Sequence, residues 1–149
     1  MIFTADDRAF FRMLKDAVGG EFEIFGKIRV CDIIVPKKGA SGHAVKKAFS
    51  SIEGRHFDFV LCEKNNLAVA CVVQLHDKPH SVRQNKEDPL IPICGNLGLP
   101  LLRFAITADY SVEEIREKLR KTIIKEPFLL VEMDGRKEPR ISGIDGMKF

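Results

Sequence analysis

Apolar residues recur at helical spacing in several parts of the chain, and capping signals stand at the start of these parts. From Phe10 onward the apolar positions are four residues apart, with Thr4 or Asp6 available as the cap. Ser111 opens a capping box. The pattern predicts four helices: residues 6–18, residues 44–51, a short helix after Asp88, and residues 111–125.

Runs of β-branched and aromatic residues between these helices predict strands. The runs cover residues 21–25, 28–35, 57–62, 67–77, 99–106 and 128–133, and the last is expected at a sheet edge. Strands interleaved with helices predict an α/β fold, a three-layer mixed sheet flanked by helices. Residues 1–133 are predicted to form one domain, and residues 134–149 a C-terminal tail.

Two neighbouring predicted strands carry isolated polar side chains, Asp58 on the first and Gln74 toward the end of the second. Turn residues between the strands predict a hairpin. With a five-residue connection, Asp58 pairs with Val72 and Gln74 falls on the same face. A four-residue connection puts Asp58 and Gln74 on opposite faces. Carboxylates at the ends of adjacent strands suit a divalent-metal phosphodiesterase site, although the second group here is an amide.

The same hairpin resembles the DUF2726 family, and the resemblance covers residues 3 to about 120. The segments that carry it are Phe3-Thr4-Ala5-Asp6-Asp7, His56-Phe57-Asp58-Phe59-Val60-Leu61-Cys62, Gln74-Leu75-His76-Asp77 and Gly98-Leu99-Pro100-Leu101-Leu102-Arg103-Phe104. The family is a set of bacterial domains related to the PD-(D/E)XK nuclease-like superfamily. The resemblance implies a restriction-endonuclease-like fold and a candidate nucleic-acid site that uses Mg²⁺ or Mn²⁺.

Family residues carry over only at matching positions. Asp58 matches the family's strand aspartate, Asp7 stands where the first helix usually has an acid, and Asp77 and His80 match the end of the signature. Gln74 replaces the glutamate of the family's usual Glu-Leu-Asp-Asp. Because a hard cation prefers charged oxygens, this change predicts a weak or degraded site. The predicted catalytic residues are Asp58, Gln74 and His80, and the predicted metal ligands are Asp58, Gln74 and Asp77.

Basic residues near a Gly- and Pro-containing loop and after the hairpin are predicted to contact phosphates. They are Lys37, Lys38, Lys46, Lys47 and Arg83. The formal net charge is only +3, so a nucleic-acid partner would depend on such local patches. A solvated charged face is the alternative interpretation of the lysines.

Composition agrees with one ordinary domain of 149 residues, 45% of them hydrophobic. The four cysteines are too irregularly spaced for a zinc motif and are expected to be reduced core residues. No segment has the composition of a signal peptide or the length of a membrane span, which predicts a cytoplasmic protein without a membrane partner.

The sequence therefore predicts a nuclease-like domain that contacts nucleic acid and has a degraded or weak metal site. The main alternative is a non-catalytic nucleic-acid-binding or protein-interaction module that kept the nuclease fold. A third possibility is a regulatory protein that binds a partner through the last strand or the tail. Asp58 also has a purely structural interpretation as a hydrogen-bonded strand-end carboxylate, and a buried Arg103 would need Asp58 or another acid as its partner.

Overall fold

The computed structural model describes residues 2–37, 42–76, 88–106, 109–123, 130–133 and 141–142. The helices in these ranges are α1 (Ala5–Val18), α2 (His43–Ser50), α3 (Leu90–Leu97) and α4 (Val112–Thr122). The strands are β1 (Phe22–Arg29), β2 (Ile34–Pro36), β3 (His56–Glu63), β4 (Val69–His76), β5 (Leu101–Ala105), β6 (Leu130–Met133) and β7 (Ile141–Ser142). A single 3₁₀ turn, Val30–Asp32, joins β1 to β2.

Local signals set the helix ends where the sequence predicts them. Thr4, rather than Asp6, caps α1 through a reciprocal pair of hydrogen bonds with Asp7. Gly19 ends that helix in the left-handed conformation, with φ of 62°. Ser111 forms the predicted capping box at the start of α4. The predicted ends of both long helices are therefore correct to within three residues.

The short helix predicted after Asp88 is present as α3, which begins at Leu90 with Pro89 as its N-cap. The Asp88 carboxylate accepts a hydrogen bond from the Leu90 amide at 3.0 Å. Pro92 lies in the first turn of α3, where most amide groups lack a partner within the helix. Its missing N–H therefore costs little, and α3 runs for eight residues to its glycine cap, Gly98.

The main sheet has the strand order β1-β3-β4-β5, with β4 and β5 parallel and the other neighbours antiparallel. A smaller sheet has the order β2-β6-β7. The predicted edge position of β6 is wrong, because β6 pairs with β2 on one side and β7 on the other. Strand β7 lies within the segment predicted as a tail, so part of that segment belongs to a sheet.

Each face of the main sheet is covered by its own apolar cluster. On one face, α1 and α4 pack against strand residues such as Phe59 and Phe104. On the other face, α2, α3 and Met133 of β6 pack against strand residues such as Val60 and Val72. The predicted α/β class, with a mixed sheet flanked by helices, is confirmed.

The cysteines are unpaired, as predicted. Cys62, Cys71 and Cys94 are buried, and Cys31 is half-buried. Burial raises the pKa of Cys62 to about 11 and the pKa of both Cys71 and Cys94 to about 12. In the described part of the chain, no helix has both the length and the apolar character needed to cross a membrane.

Candidate functional site

The pairing of β3 with β4 differs from the predicted register. Val72 pairs with Val60, so the predicted pairing of Val72 with Asp58 is wrong. The register shifts between Leu61 and Cys62, at a β-bulge or similar irregularity. A bulge adds a residue to one strand only, and hydrophobic alternation does not reveal it in advance.

The alternation of β3 is interrupted at Asp58. Phe57 and Val60 both belong to the cluster under α2 and α3, although residues three apart in a regular strand face opposite sides. Strand β1 has a matching irregularity at Lys27, whose φ is 54°. A left-handed conformation at a residue other than glycine costs of order 1–3 kcal/mol and persists only where the surroundings hold it. Here the Lys27 side chain is held by two carboxylates, those of Asp7 and Asp58.

Lys27 joins two carboxylates from different elements. Its Nζ lies 2.9 Å from Asp58 Oδ1 and 3.5 Å from Asp7 Oδ2. The Leu75 amide donates to the other oxygen of Asp58 at 2.7 Å, and Asp7 also accepts from the Thr4 amide. We call this group the Asp7–Lys27–Asp58 cluster. It connects the start of α1 to β1, β3 and β4.

Burial in the cluster is graded. The exposed fraction of the side chain is 7% for Asp7, 17% for Asp58 and 30% for Lys27. Burial acts to lower the pKa of Lys27, but the hydrogen bond and charge of Asp58, with the charge of Asp7, raise that pKa overall. Lys27 is therefore a fully charged ammonium held between two carboxylates at neutral pH.

Gln74 belongs to the other face of the sheet. It follows Val72 by two residues, and Val72 packs under α2 and α3, so Gln74 continues that face. Its amide donates to the His56 carbonyl at 3.4 Å, and it lies next to Arg103 in the parallel register. Among the described residues, none hydrogen-bonds to the buried Gln74 Oε1. The predicted shared face for Asp58 and Gln74 is thus not found.

A second charged group lies on that face. Arg55 binds Asp88 through both carboxylate oxygens, at 2.8 and 3.3 Å. Burial acts to raise the pKa of Asp88, but the hydrogen bonds from Arg55 and Leu90 and the charges of Arg55 and Arg103 lower it overall. We call this group the Arg55–Asp88–Arg103 cluster. Arg103 acts on Asp88 through its charge, and among the described residues none hydrogen-bonds to the buried Arg103 Nε.

The donors in the described part of the chain do not fit a hard divalent cation. Mg²⁺ takes six oxygen ligands in near-octahedral geometry, usually one or two carboxylates completed by water or phosphate oxygens. Across the described ranges, no three His, Cys, Asp or Glu side chains are placed to hold a metal together. Both oxygens of Asp58 already accept hydrogen bonds. The predicted residues Asp77, His80, Arg83 and Lys38 lie outside the described residues.

The remaining predicted phosphate contacts lie on the α2 side of the sheet. Lys46 and Lys47 are exposed on α2. Lys37 is half-buried after β2, and its backbone amide donates to the Met133 carbonyl at 2.7 Å. Because the Asp58 carboxylate faces α1, the fold places these lysines and the Asp7–Lys27–Asp58 cluster on different faces.

Lys27 is not predictable as a partner of Asp7 from alternation, because in a regular strand it would face away from α1. The one local signal is the preceding Gly26. Glycine inside a strand often marks a bulge or a close approach of another group. A side chain on Gly26 would overlap the ring of Phe3.

The model of the family described as "Protein of unknown function (DUF2726)" matches residues 1–123. Neither the curated proteins nor the solved structures gave a match to the chain.

Proposed function

The chain belongs to the DUF2726 family, and from that premise we propose that it is a PD-(D/E)XK-type nuclease-like domain that contacts nucleic acid through a degraded phosphodiesterase site. The hydrogen bonding of Asp58 carries the proposal. In an active site of this type the strand carboxylate binds the metal that activates water. Here Lys27 Nζ and the Leu75 amide take one Asp58 oxygen each.

The architecture supports the proposal at the level of the fold. The four-stranded mixed sheet with helices on both faces agrees with the three-layer fold that the family resemblance implies. Asp58 lies on β3 next to the end of β4, where the resemblance places the strand aspartate. Asp7 on α1 lies within reach of the same ammonium. Two of the acids that the resemblance singles out are therefore close to each other.

The charges around Asp58 limit how tightly this site could bind a divalent cation. A divalent cation bound at Asp58 would have to displace the Lys27 ammonium, and Gln74 offers no negative charge to replace the missing glutamate. Breaking the 2.9 Å hydrogen bond between Lys27 and Asp58 removes an interaction between opposite charges in a partly buried setting. Weak binding of Mg²⁺ or Mn²⁺ is the most that these donors support.

Metal-binding calorimetry on a small set of variants tests the proposal. We expect weak or undetectable Mn²⁺ binding by the wild type and tighter binding by Lys27→Met, because that change frees Asp58 Oδ1 and removes a positive charge. Lys27→Arg is the matched control, since it keeps the charge and should bind Mn²⁺ as poorly as the wild type. If the wild type instead binds Mn²⁺ tightly and cleaves nucleic acid in a metal-dependent reaction that Asp58→Ala abolishes, the site is intact rather than degraded.

A second candidate function is a non-catalytic nucleic-acid-binding or protein-interaction module that kept the nuclease fold. The hydrogen bonding of both Asp58 oxygens by protein groups favours it, because those bonds connect β3 to β1 and β4 without any ligand, and Lys27 also reaches Asp7 on α1. This candidate requires nucleic-acid binding that persists in chelator and is unchanged by Asp58→Asn. A protein partner at β6 is less supported, because β2 and β7 occupy both of its edges.

A further inference from the structure

A groove follows the outer side of α1 where this helix crosses the edge strand β1. Its first part is a cavity of about 310 Å³. This cavity is lined by Phe3, Arg8, Phe11, Ile24, Gly26 and Phe59. The second part, of about 520 Å³, shares Phe11 and Ile24 with the first and extends past Lys15 to Lys64. The two parts are therefore successive sections of one groove.

Aromatic rings form the floor and walls of the first section. Phe3 and Phe59 are nearly parallel, with ring centroids 6.0 Å apart, and Phe11 stacks on Phe59 at 5.8 Å. Phe59 is buried, whereas Phe3 and Phe11 are half-buried and keep part of their ring surface open. Gly26 lets the Phe3 ring lie directly against β1, because a Cβ there would overlap it. The groove thus offers flat apolar surface to a ligand.

Cationic side chains stand along the same groove. Lys15 and Lys64 line the second section, and both residues are exposed. Arg8 lines the first section and donates to the Phe3 carbonyl at 2.9 Å, about 10 Å from Lys15 along the helix axis. Asp16 and Glu23 also line the groove. Three cations against two carboxylates leave a small positive excess.

One end of the groove meets the candidate site. Lys27 Nζ lies 6.0 Å from the centroid of the Phe3 ring. The same ammonium binds Asp58 and Asp7. A ligand lying along α1 in the groove would therefore reach the Asp7–Lys27–Asp58 cluster at the Phe3 end.

We propose that this groove binds single-stranded nucleic acid, with bases stacked on Phe3 and Phe11 and phosphates near Lys15 and Lys64. The inference rests on the proposed nucleic-acid contact and assigns it a surface and a strand state. Aromatic stacking surfaces interleaved with cations are the recurring design of single-strand binding proteins. A duplex cannot use these rings, because its bases are stacked on one another. An apolar peptide could use the rings but would not need the lysines.

Fluorescence anisotropy with a labelled oligothymidylate in chelator tests the aromatic part. Phe11→Leu keeps apolar packing but removes the ring, and should weaken binding roughly 5- to 150-fold, the usual effect of losing one stacking contact. The matched control is Phe25→Leu, since Phe25 is 38% exposed on β1 and does not line the groove. Phe3→Leu, which lies before α1, gives a second test should Phe11→Leu fold poorly.

The charge part is tested by two double variants that remove the same number of lysines. Lys15→Ala with Lys64→Ala should reduce the slope of log affinity against log salt by about 1.4, since each phosphate contact of a single strand contributes about 0.7. Lys46→Ala with Lys47→Ala changes the net charge equally but lies on α2 and should leave the slope unchanged.

The outcomes separate this inference from the proposed function. Tighter binding of the single strand than of a matched duplex, lost in the groove variants, supports the inference. The groove proposal is wrong if the chain binds a duplex as tightly as the single strand, if Phe11→Leu leaves the affinity unchanged, and if loss of Lys46 and Lys47 weakens binding. That result would leave the proposed nucleic-acid contact in place. A wild-type chain that binds neither nucleic acid overturns both.

Discussion

On the α1 face of the main sheet two carboxylates share one ammonium, whereas on the opposite face the Asp88 carboxylate binds the Arg55 guanidinium and is also influenced by the charge of Arg103. The Asp7–Lys27–Asp58 cluster has a formal excess of negative charge, and the Arg55–Asp88–Arg103 cluster has an excess of positive charge. Lys27 is a compact point charge on a flexible stem. Arg55 instead binds Asp88 with two hydrogen bonds in a fixed geometry.

The contrast separates a site whose cation could be exchanged, at Lys27, from a contact that only holds the fold together, between Arg55 and Asp88. A single ammonium can be replaced by another cation where two carboxylates remain, and this exchange is what the proposed metal site requires. The bidentate Arg55–Asp88 contact joins the residue before β3 to the start of α3, and its role is structural. Substitutions in the two clusters should therefore differ in their effect on stability and in its pH dependence.

Asp58→Ala should have the largest effect on stability. It leaves the Leu75 amide and the Lys27 ammonium without their acceptor in a mostly buried setting. Lost hydrogen bonds of this kind cost about 1–3 kcal/mol each when a buried group stays unsatisfied. We expect the free energy of unfolding, from urea denaturation followed by circular dichroism, to fall by roughly 2–4 kcal/mol.

Asp32→Ala is the matched control, because Asp32 also binds a cation, Arg29, but is 47% exposed. Its removal should change stability far less, since exposed ion pairs contribute little. Equal losses in the two variants would mean that the Asp7–Lys27–Asp58 cluster is an ordinary surface pair.

Asp88→Asn should have the next largest effect, about 1–3 kcal/mol, because it weakens charge-assisted hydrogen bonds to Arg55. The pKa of Asp88 is lowered in the folded state from an ordinary value of 3.8. The carboxylate therefore stabilises the fold above about pH 4, and this contribution is lost as the pH falls through the lowered pKa.

Urea midpoints measured from neutral pH down into this acidic range check the effect. The wild type should lose more stability than Asp88→Asn over that range, and the two curves should converge at its acid end. Parallel curves would show that Asp88 does not contribute to the acid sensitivity.

Lys27 should produce the opposite dependence on pH. Its pKa is raised above the ordinary value of 10.5 in the folded state, so its contribution is present below pH 10.5 and is lost as the pH rises through the higher folded-state pKa. The wild type should therefore lose more stability than Lys27→Met in alkaline urea titrations. A Lys27→Met curve with the same alkaline slope as the wild type would argue against the shared ammonium.

The smallest expected effect is on the rates of thiol labelling, which test how tightly each face of the sheet is packed. Cys71 packs under α1 and α4, and Cys94, on α3, belongs to the apolar cluster on the opposite face of the sheet. Burial raises the pKa of Cys71 and Cys94 to about 12 and that of Cys62 to about 11. Because the thiolate is the reactive form, all three should react slowly at pH 8. Half-buried Cys31 should react first, and Cys31→Ser should remove the fast phase. Fast labelling of Cys71 or Cys94 alone would identify the looser face.

Local patterns predicted the parts of the fold that depend on neighbouring residues. The capping boxes at Thr4 and Ser111 fix the starts of α1 and α4 through hydrogen bonds three residues apart. The apolar runs of β3 and β4 need only alternation and a turn. Asp58 itself was recognisable, because a carboxylate in an apolar strand must have a partner.

The partners of Asp58 could not be predicted in the same way. The register of β3 and β4 depends on an irregularity at Leu61 and Cys62, and Asp58 pairs with Lys27 only because both strands break their alternation at the same level. The position of β6 depends on pairing with β2, which is distant in sequence.

The sequence by itself determined the fold class and the helices, because these follow from periodicity and capping, and it showed that the Asp58 carboxylate in an apolar strand needs a partner. Only the tertiary structure decided which face each side chain occupies. A strand residue changes face with a one-residue irregularity, and such irregularities are set by contacts across the sheet. Contacts between β3 and its two neighbouring strands therefore place Gln74 on the opposite face from Asp58 and place Lys27 beside Asp58. A local sequence pattern does not record these contacts.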